Sequence, residues 1–209
     1  MDEMLPLFPL KLVAYPGEHL HLHIFEPRYI QLVSDVLAGD RVFGIPVYIN
    51  TVMEYGTAVE IEEVIKTYSD GSMDIRTLGR SVIVIKQFLN PMLGKLYAGG
   101  RVEYVANIND GDPLLDEEIR KGIEHLLSSE QSIGSVHIQP NLSTYRIGHI
   151  IGLTLDQEYQ LLKISSEYKR QKYVLQQLEV VIPEIDRLVE MKRRINSNGH
   201  FRKQDPLQF

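Results

Sequence analysis

Apolar and polar residues alternate along much of the first hundred positions, whereas beyond them apolar residues recur every third or fourth position. That change of period predicts strands first and helices afterwards. "LPLFPLKLV" (Leu5–Val13) reads as an extended segment, and Pro6 and Pro9, which cannot donate to a ladder, assign it to an edge or a bend. Tyr15, Pro16, Gly17 and Glu18 suit a type II turn, and "HLHLHI" (His19–Ile24) forms the next strand. Pro27 then opens a helix with Tyr29, Leu32, Val33, Val36 and Leu37 on one face and Gly39 as its stop. Further strands are predicted at Val42–Ile49, Gly56–Tyr68, Met73–Leu78, Ser81–Phe88 and Lys95–Val105, with Ser69, Asp70 and Gly71 turning a hairpin. In the second of these, Val59, Ile61 and Ile65 share one face while Glu60, Glu62 and Lys66 share the other, as in a sheet wet on one side.

At Asn107–Pro113 turn formers replace β-branched residues, which divides the chain into a β-rich part (1–106), a helical part (107–196) and a mobile tail (197–209). "LLDEEIRKGIEHLLSSE" reads as a helix, "SIGSVHIQPN" as a loop and "STYRIGHIIGL" as a short helix. Thr154 and Gln157 form a capping box before the next helix. A longer helix spans about Ser166 to Val181, where Pro183 leaves open whether "PEIDRLVEMKRRI" continues it or stands apart. Six or so strands with a single early helix suggest a partly closed barrel followed by a bundle, an α+β fold.

With 209 residues and 44 % hydrophobic content, the chain can bury a sizeable core. The absence of cysteine excludes disulfides and thiolate chemistry and fits a cytoplasmic address. The N-terminus begins with acids and is cut by prolines, unlike an export signal, and no apolar run is long enough for a membrane span. A net charge of −6 opposes nucleic-acid binding, and the local basic cluster Lys192, Arg193, Arg194, Arg202 and Lys203 reads as a solvated helix end and tail.

"LPLFPLKLVAYPGEHLHLHIFEPRYIQLV", with its proline-broken strand, Pro-Gly turn and Phe25-Glu26-Pro27-Arg28-Tyr29, resembles the opening of the Lon protease N-terminal (substrate-binding) domain. The resemblance continues through "GTAVEIEEV", the Gly79-Arg80 pair in "DGSMDIRTLGRSVIVI", and "TYRIGHIIGLTLDQEYQLLKISSEYKRQKYVLQQL", which covers nearly the whole chain. It implies a β-rich, PUA-like pseudobarrel followed by a helical bundle, and a module that recognises unfolded or specific client proteins in an apolar groove between the two. The ATPase and serine–lysine peptidase domains of full Lon proteases have no counterpart here. Gly94-Lys95 lacks the surroundings of a phosphate loop. The resemblance therefore implies a non-catalytic binding domain without cofactor, acting as an adaptor beside a separate protease or ATPase.

Two motifs compete for chemistry. His19, His21 and His23 project to one face of a strand, where three imidazoles could meet a metal ion, and a metal-dependent hydrolase is the alternative function they would support. Against it, Leu20, Leu22 and Ile24 already supply a buried face, Glu18 and Glu26 are the only local carboxylates, and no Glu-x-x-His pairing accompanies them. An RNA-binding role rests on fold analogy alone and is opposed by the charge. In Phe25–Tyr29, an acid–base reading of Glu26 and Arg28 yields to a structural one: Glu26 accepts from free amides at the helix start while Phe25 and Tyr29 pack inward. Arg80 is expected to pair with Glu26 or Glu60. The neighbours in Glu62-Glu63 and in Glu117-Glu118 fall on different faces, so neither pair is a catalytic dyad.

Overall fold

The computed structural model describes residues 3–129 and 143–198. Six strands come first: β1 (Glu3–Leu7), β2 (His19–Ile24), β3 (Val42–Ile49), β4 (Thr51–Thr67), β5 (Met73–Leu89) and β6 (Ala98–Tyr104), with α1 (Pro27–Leu37) between β2 and β3. Helices α2 (Pro113–Ser129), α3 (Thr144–Ile150), α4 (Leu155–Leu162) and α5 (Glu167–Asn198) follow. The sheet runs β2-β5-β4-β3-β1-β6, and β6 pairs again with β5, so five strands close into a ring and β2 stays outside it.

Closure corrects the placement of the first strand. β1 pairs antiparallel with β6 along its whole length and parallel with β3 from Leu7, so it is an inner member of the ring. Pro6 is tolerated because the β3 ladder begins only after it. β5 is also one strand where two were expected. Val59 faces Gly79 and Ala58 faces Ser81, which leaves Arg80 as the extra residue of a bulge that bends β5 without ending it. Glycine is required at 79, since a Cβ there would lie 2.1 Å from the Tyr15 carbonyl oxygen.

A second irregularity lies between Ile61 and Glu63. It turns Val64 toward the core and leaves Ile65 exposed, against the simple alternation expected from Val59. It also brings both Glu62 and Glu63 onto Arg76, so these neighbours do not diverge as a regular strand would make them.

The stripe Tyr29, Leu32, Val33 and Val36 buries α1 against one face of β2, β4 and β5. Its end differs in detail from expectation: the cap is Ala38 in right-handed geometry, and the left-handed residue is Arg41 (φ 68°), not Gly39. Arg41 offsets that strain by donating to the Ile61 and Glu62 carbonyls at 2.8 and 3.2 Å. Leu5, Leu7, Ala58, Ile83, Ala98 and Val102 fill the ring. Outside it, Val13, Tyr15, Val47 and Val82 pack against Ile119, Tyr145, Ile147, Leu161 and Val174 of the helices. Among the described residues the seam between barrel and bundle is thus occupied by packed side chains.

The capping box forms as the sequence predicts, with Thr154 accepting from the Gln157 amide. Pro183 lies inside a continuous α5 that reaches Asn198, so the tail assigned from 197 begins in helix. Residues 199–209 and the loop assigned at Ser132–Asn141 lie outside the described residues.

Candidate functional site

The strand-to-helix junction Phe25–Tyr29 stands at one mouth of the barrel. Pro27 occupies the first turn of α1, and Tyr29 turns inward to stack on Phe8 with ring centroids 3.8 Å apart. Phe25 does not follow it. Its side chain is 63 % exposed and lies 5.8 Å from the His23 ring, because position 25 continues the outward row of β2. Glu26 makes no side-chain cap either; it accepts from Arg28 at 2.7 Å, and the Arg28 guanidinium lies 4.6 Å from the Tyr29 ring centroid.

Beside Tyr29 opens a concavity of about 330 Å³. Tyr29, Tyr48 and Phe88 supply aromatic walls, Pro9 and Val52 aliphatic ones, and Arg28 and Asn90 are its polar groups. The segment after β5 is pinned to α1 nearby. Asp35 accepts from Lys95 Nζ at 2.8 Å and from the Tyr97 hydroxyl at 2.7 Å, and Gln31 accepts from the Leu96 amide at 2.8 Å. Those bonds from Lys95 and Tyr97 hold the Asp35 carboxyl below its ordinary pKa. Burial, then the bond to Asp35, raises the Tyr97 hydroxyl. These bonds tie residues 95–97, just before β6, to α1.

The histidine row sits elsewhere, on the polar face of β2, β5 and β4. His19 pairs with Glu62 at 3.2 Å and His23 with Asp74 at 2.6 Å, while His21 is exposed and has no such partner among the described residues. Each of the first two is drawn to a different carboxylate, and imidazoles on alternate residues start about 6.8 Å apart. Among the described residues no three His, Cys, Asp or Glu side chains are grouped to hold a metal ion. Bonds from His23 and from the Tyr68 hydroxyl depress the Asp74 carboxyl. Arg80, on its bulge, points to the same face and donates through Nε and Nη2 to Glu60, both at 2.7 Å. Of the two partners considered for it, the structure brings Glu60.

Two polar centres escape a reading of the sequence. His149 on α3 bridges Glu18 (3.2 Å) and Glu158 (2.6 Å), and its pKa is pushed up to about 9, chiefly by the bond to Glu18. The Tyr15 hydroxyl donates to the Glu158 carbonyl beside it at 3.0 Å. Arg170 is fully buried; it donates to Glu167, Asn107 and the Ile164 carbonyl, and its guanidinium lies 4.1 Å from the Tyr145 ring centroid. One signal pointed to it: Arg170, Val174 and Leu178 fall at i, i+4 and i+8, which puts the arginine on the buried stripe of α5.

Residues 4–180 match the family described as the ATP-dependent protease La (LON) substrate-binding domain. The chain belongs to this family. The Lon N-terminal domain protein from Xanthomonas campestris shares the fold with a TM-score of 0.63 at 22 % identity, covering 83 % of this chain and 97 % of that one. The N-terminal domain of the Mycobacterium avium complex Lon protease matches with a TM-score of 0.58 at 12 % identity, over 85 % and 98 % of the two chains. No curated protein matches the sequence. The α+β architecture is thus that of Lon N-terminal domains, and the match is to a substrate-binding, not a catalytic, part of such proteases. The lining of the concavity combines aromatic and aliphatic side chains with polar groups, Arg28 and Asn90 among them. Among the described residues no helix is long and apolar enough to cross a membrane.

Proposed function

We propose that this Lon-type domain recognises apolar segments of client proteins in the concavity beside Tyr29 and acts as an adaptor, handing clients to a separate protease or ATPase. The observation that carries the reading is the lining itself, in which the aromatic and aliphatic side chains of Tyr29, Tyr48, Phe88, Pro9 and Val52 stand beside Arg28 of the family motif and Asn90, a mixed polar and apolar surface. Such a surface gains by burying an aromatic or aliphatic side chain, and a site this small leaves a modest surplus after the peptide is ordered. The division of the chain after residue 106 belongs to the same proposal: the strands end at Tyr104 and the helices start at Pro113, so that the barrel presents the site and the helices brace it.

The test is a fluorescence-anisotropy titration of unfolded aromatic-rich peptides against scrambled polar ones. A Kd on the order of micromolar, nearly independent of salt, is expected for the first class only. Val52→Glu should weaken it by about tenfold or more by placing a charge in the apolar wall. Equal binding of both classes, or of neither, would overturn the reading. Tight salt-sensitive retention of RNA would replace it with a nucleic-acid role.

A further inference from the structure

Helix α5 outruns α2. The two lie side by side and run the same way: Gln171 bonds to Asp112 and Asp116 at the start of α2, and Gly122 faces Leu178 and Ile182. His125 then pairs with Asp186 at 2.9 Å. α2 ends soon after, at Ser129, whereas α5 continues to Asn198, which carries it roughly 18 Å past Asp186. Its inward stripe of Val174, Leu178 and Ile182 passes into the half-buried Ile185 and Val189. A second apolar row begins at this height, about 100° round the helix from the first, in Leu188, Met191 and Ile195. Each of these three is more than half exposed.

The spacing of three and then four residues makes Leu188, Met191 and Ile195 the a, d and a positions of a heptad, a row that another helix can cover. Arg187 and Arg194 then fall at g on one flank, and Lys192 at e on the other. Arg194 is paired with Glu190 at 2.9 Å, but Arg187 and Lys192 are exposed and make no ion pair or hydrogen bond among the described residues. These charges decide what the row accepts. In a parallel pair of two copies, Arg187 of each would face Lys192 of the other; in an antiparallel pair, arginines would face arginines and Lys192 would face Lys192. A second copy is therefore opposed in both directions, whereas carboxylates on the flanks of a partner helix would pair with both cations. A lipid surface is the poorer match, because the row is short, lacks an aromatic residue and has Glu184 one turn before Leu188.

We infer that the distal part of α5, from Arg187 to Ile195, docks one acidic amphipathic helix of a partner protein, with apolar residues along its seam and carboxylates on both flanks. The stretch lies beyond residues 4–180, which match the Lon substrate-binding family, and it shares no residue with the concavity beside Tyr29. It is thus a second attachment point, independent of client recognition, of the kind by which an adaptor holds the protein it serves. So short a seam buries little, and the contact is weak and dependent on salt.

The experiment titrates the full chain, by fluorescence anisotropy, with two labelled helical peptides that share leucine at a and d and differ only in carrying glutamate or lysine at every e and g. The glutamate peptide should bind with a Kd on the order of 10 μM at low salt, and the lysine peptide at least about tenfold more weakly. Met191→Ser should melt like the parent and weaken the glutamate peptide about fivefold or more, and Arg187→Glu with Lys192→Glu should reverse the preference to the lysine peptide. Val52→Glu should leave both titrations within about twofold, since that wall belongs to the other site. Equal binding of the two peptides, no binding of the glutamate peptide, or binding that neither the Met191 nor the charge-reversed variant changes would overturn the inference. So would a dimer of the chain, seen by sedimentation, that Met191→Ser dissolves, because a second copy would then cover the row. Retention on vesicles of phosphatidylcholine and phosphatidylserine in equal parts, abolished by the same substitution, would overturn it in favour of a membrane. A glutamate peptide sensitive to Val52→Glu but not to Met191→Ser would belong to the concavity, leaving client recognition standing and the α5 contact alone overturned.

Discussion

The barrel and the seam that joins it to the helices are held by different means. Inside the ring and under α1 the contacts are aliphatic and aromatic, and the ladder closes on itself, so stability there is spread over many interchangeable methyl groups. At the seam the apolar cluster is threaded by charged groups with few substitutes: Arg170 among Glu167, Asn107 and Tyr145, and His149 between Glu18 and Glu158. The difference teaches that the two regions answer to different perturbations. The barrel responds to lost volume, and the seam to lost partners and to proton concentration.

The largest expected effect breaks the seam and spares the barrel. Arg170→Ala takes the guanidinium from Asn107 and from Glu167, which keeps only the Thr144 hydroxyl as a side-chain donor, and should cost about 3–5 kcal/mol, read as a lowered urea midpoint with hydrogen exchange rising first in α2 and α5. Arg170→Met, which fills the volume without a charge, should cost distinctly less. Equal losses would mean that packing, not pairing, carries the site.

Next is the pH response of His149. Its folded pKa, about 9, lies above the ordinary 6.5, so the protonated imidazole favours the folded state. That stabilisation is fully present below about pH 6.5 and is lost as pH rises through about 9. Because the ring is about a third exposed, screening reduces it to on the order of 1 kcal/mol. Thermal melts at pH 6 and pH 9.5 should differ by more in the parent than in His149→Gln, and an identical difference in both would remove His149 from the account.

The smallest effect sharpens the contrast on the barrel's side. Arg80 is exposed and Glu60 only half-buried, so Arg80→Ala should shift stability by less than about 1 kcal/mol, detectable only as a small change in melting temperature. A loss of several kcal/mol would show that the bulge depends on its charge pair and not on Gly79.

What the sequence made legible follows the range of the forces involved. α1, the Pro16-Gly17 turn, the hairpin at Gly71 and the Thr154 capping box depend on neighbours within a few residues, and each appears where local pattern puts it. β4 begins at Thr51 and not Gly56, and β5 runs through Gly79, because those glycines mark close backbone approaches within strands and not their ends. The Phe25–Tyr29 motif of the family is visible as a string, but Tyr48, Val52 and Phe88 join Tyr29 only once the ring has closed. His149 meets Glu18 across 131 residues, and no local spacing announces such a meeting. Phe25 faces outward although Tyr29 packs inward, because its direction is set by the alternation of β2.

The pairing of the first strand with the last also sets a schedule. Glu3 lies opposite Val102, so β1 has no antiparallel partner until about a hundred further residues have been made. At about 5–20 residues per second, a growing chain carries Leu5 and Leu7 unburied for roughly 5–20 seconds during synthesis. Over that interval two of the most deeply buried leucines of the finished barrel are open to chaperones and to other nascent chains, which makes the opening segment the part of this molecule most dependent on protection before it has a fold of its own.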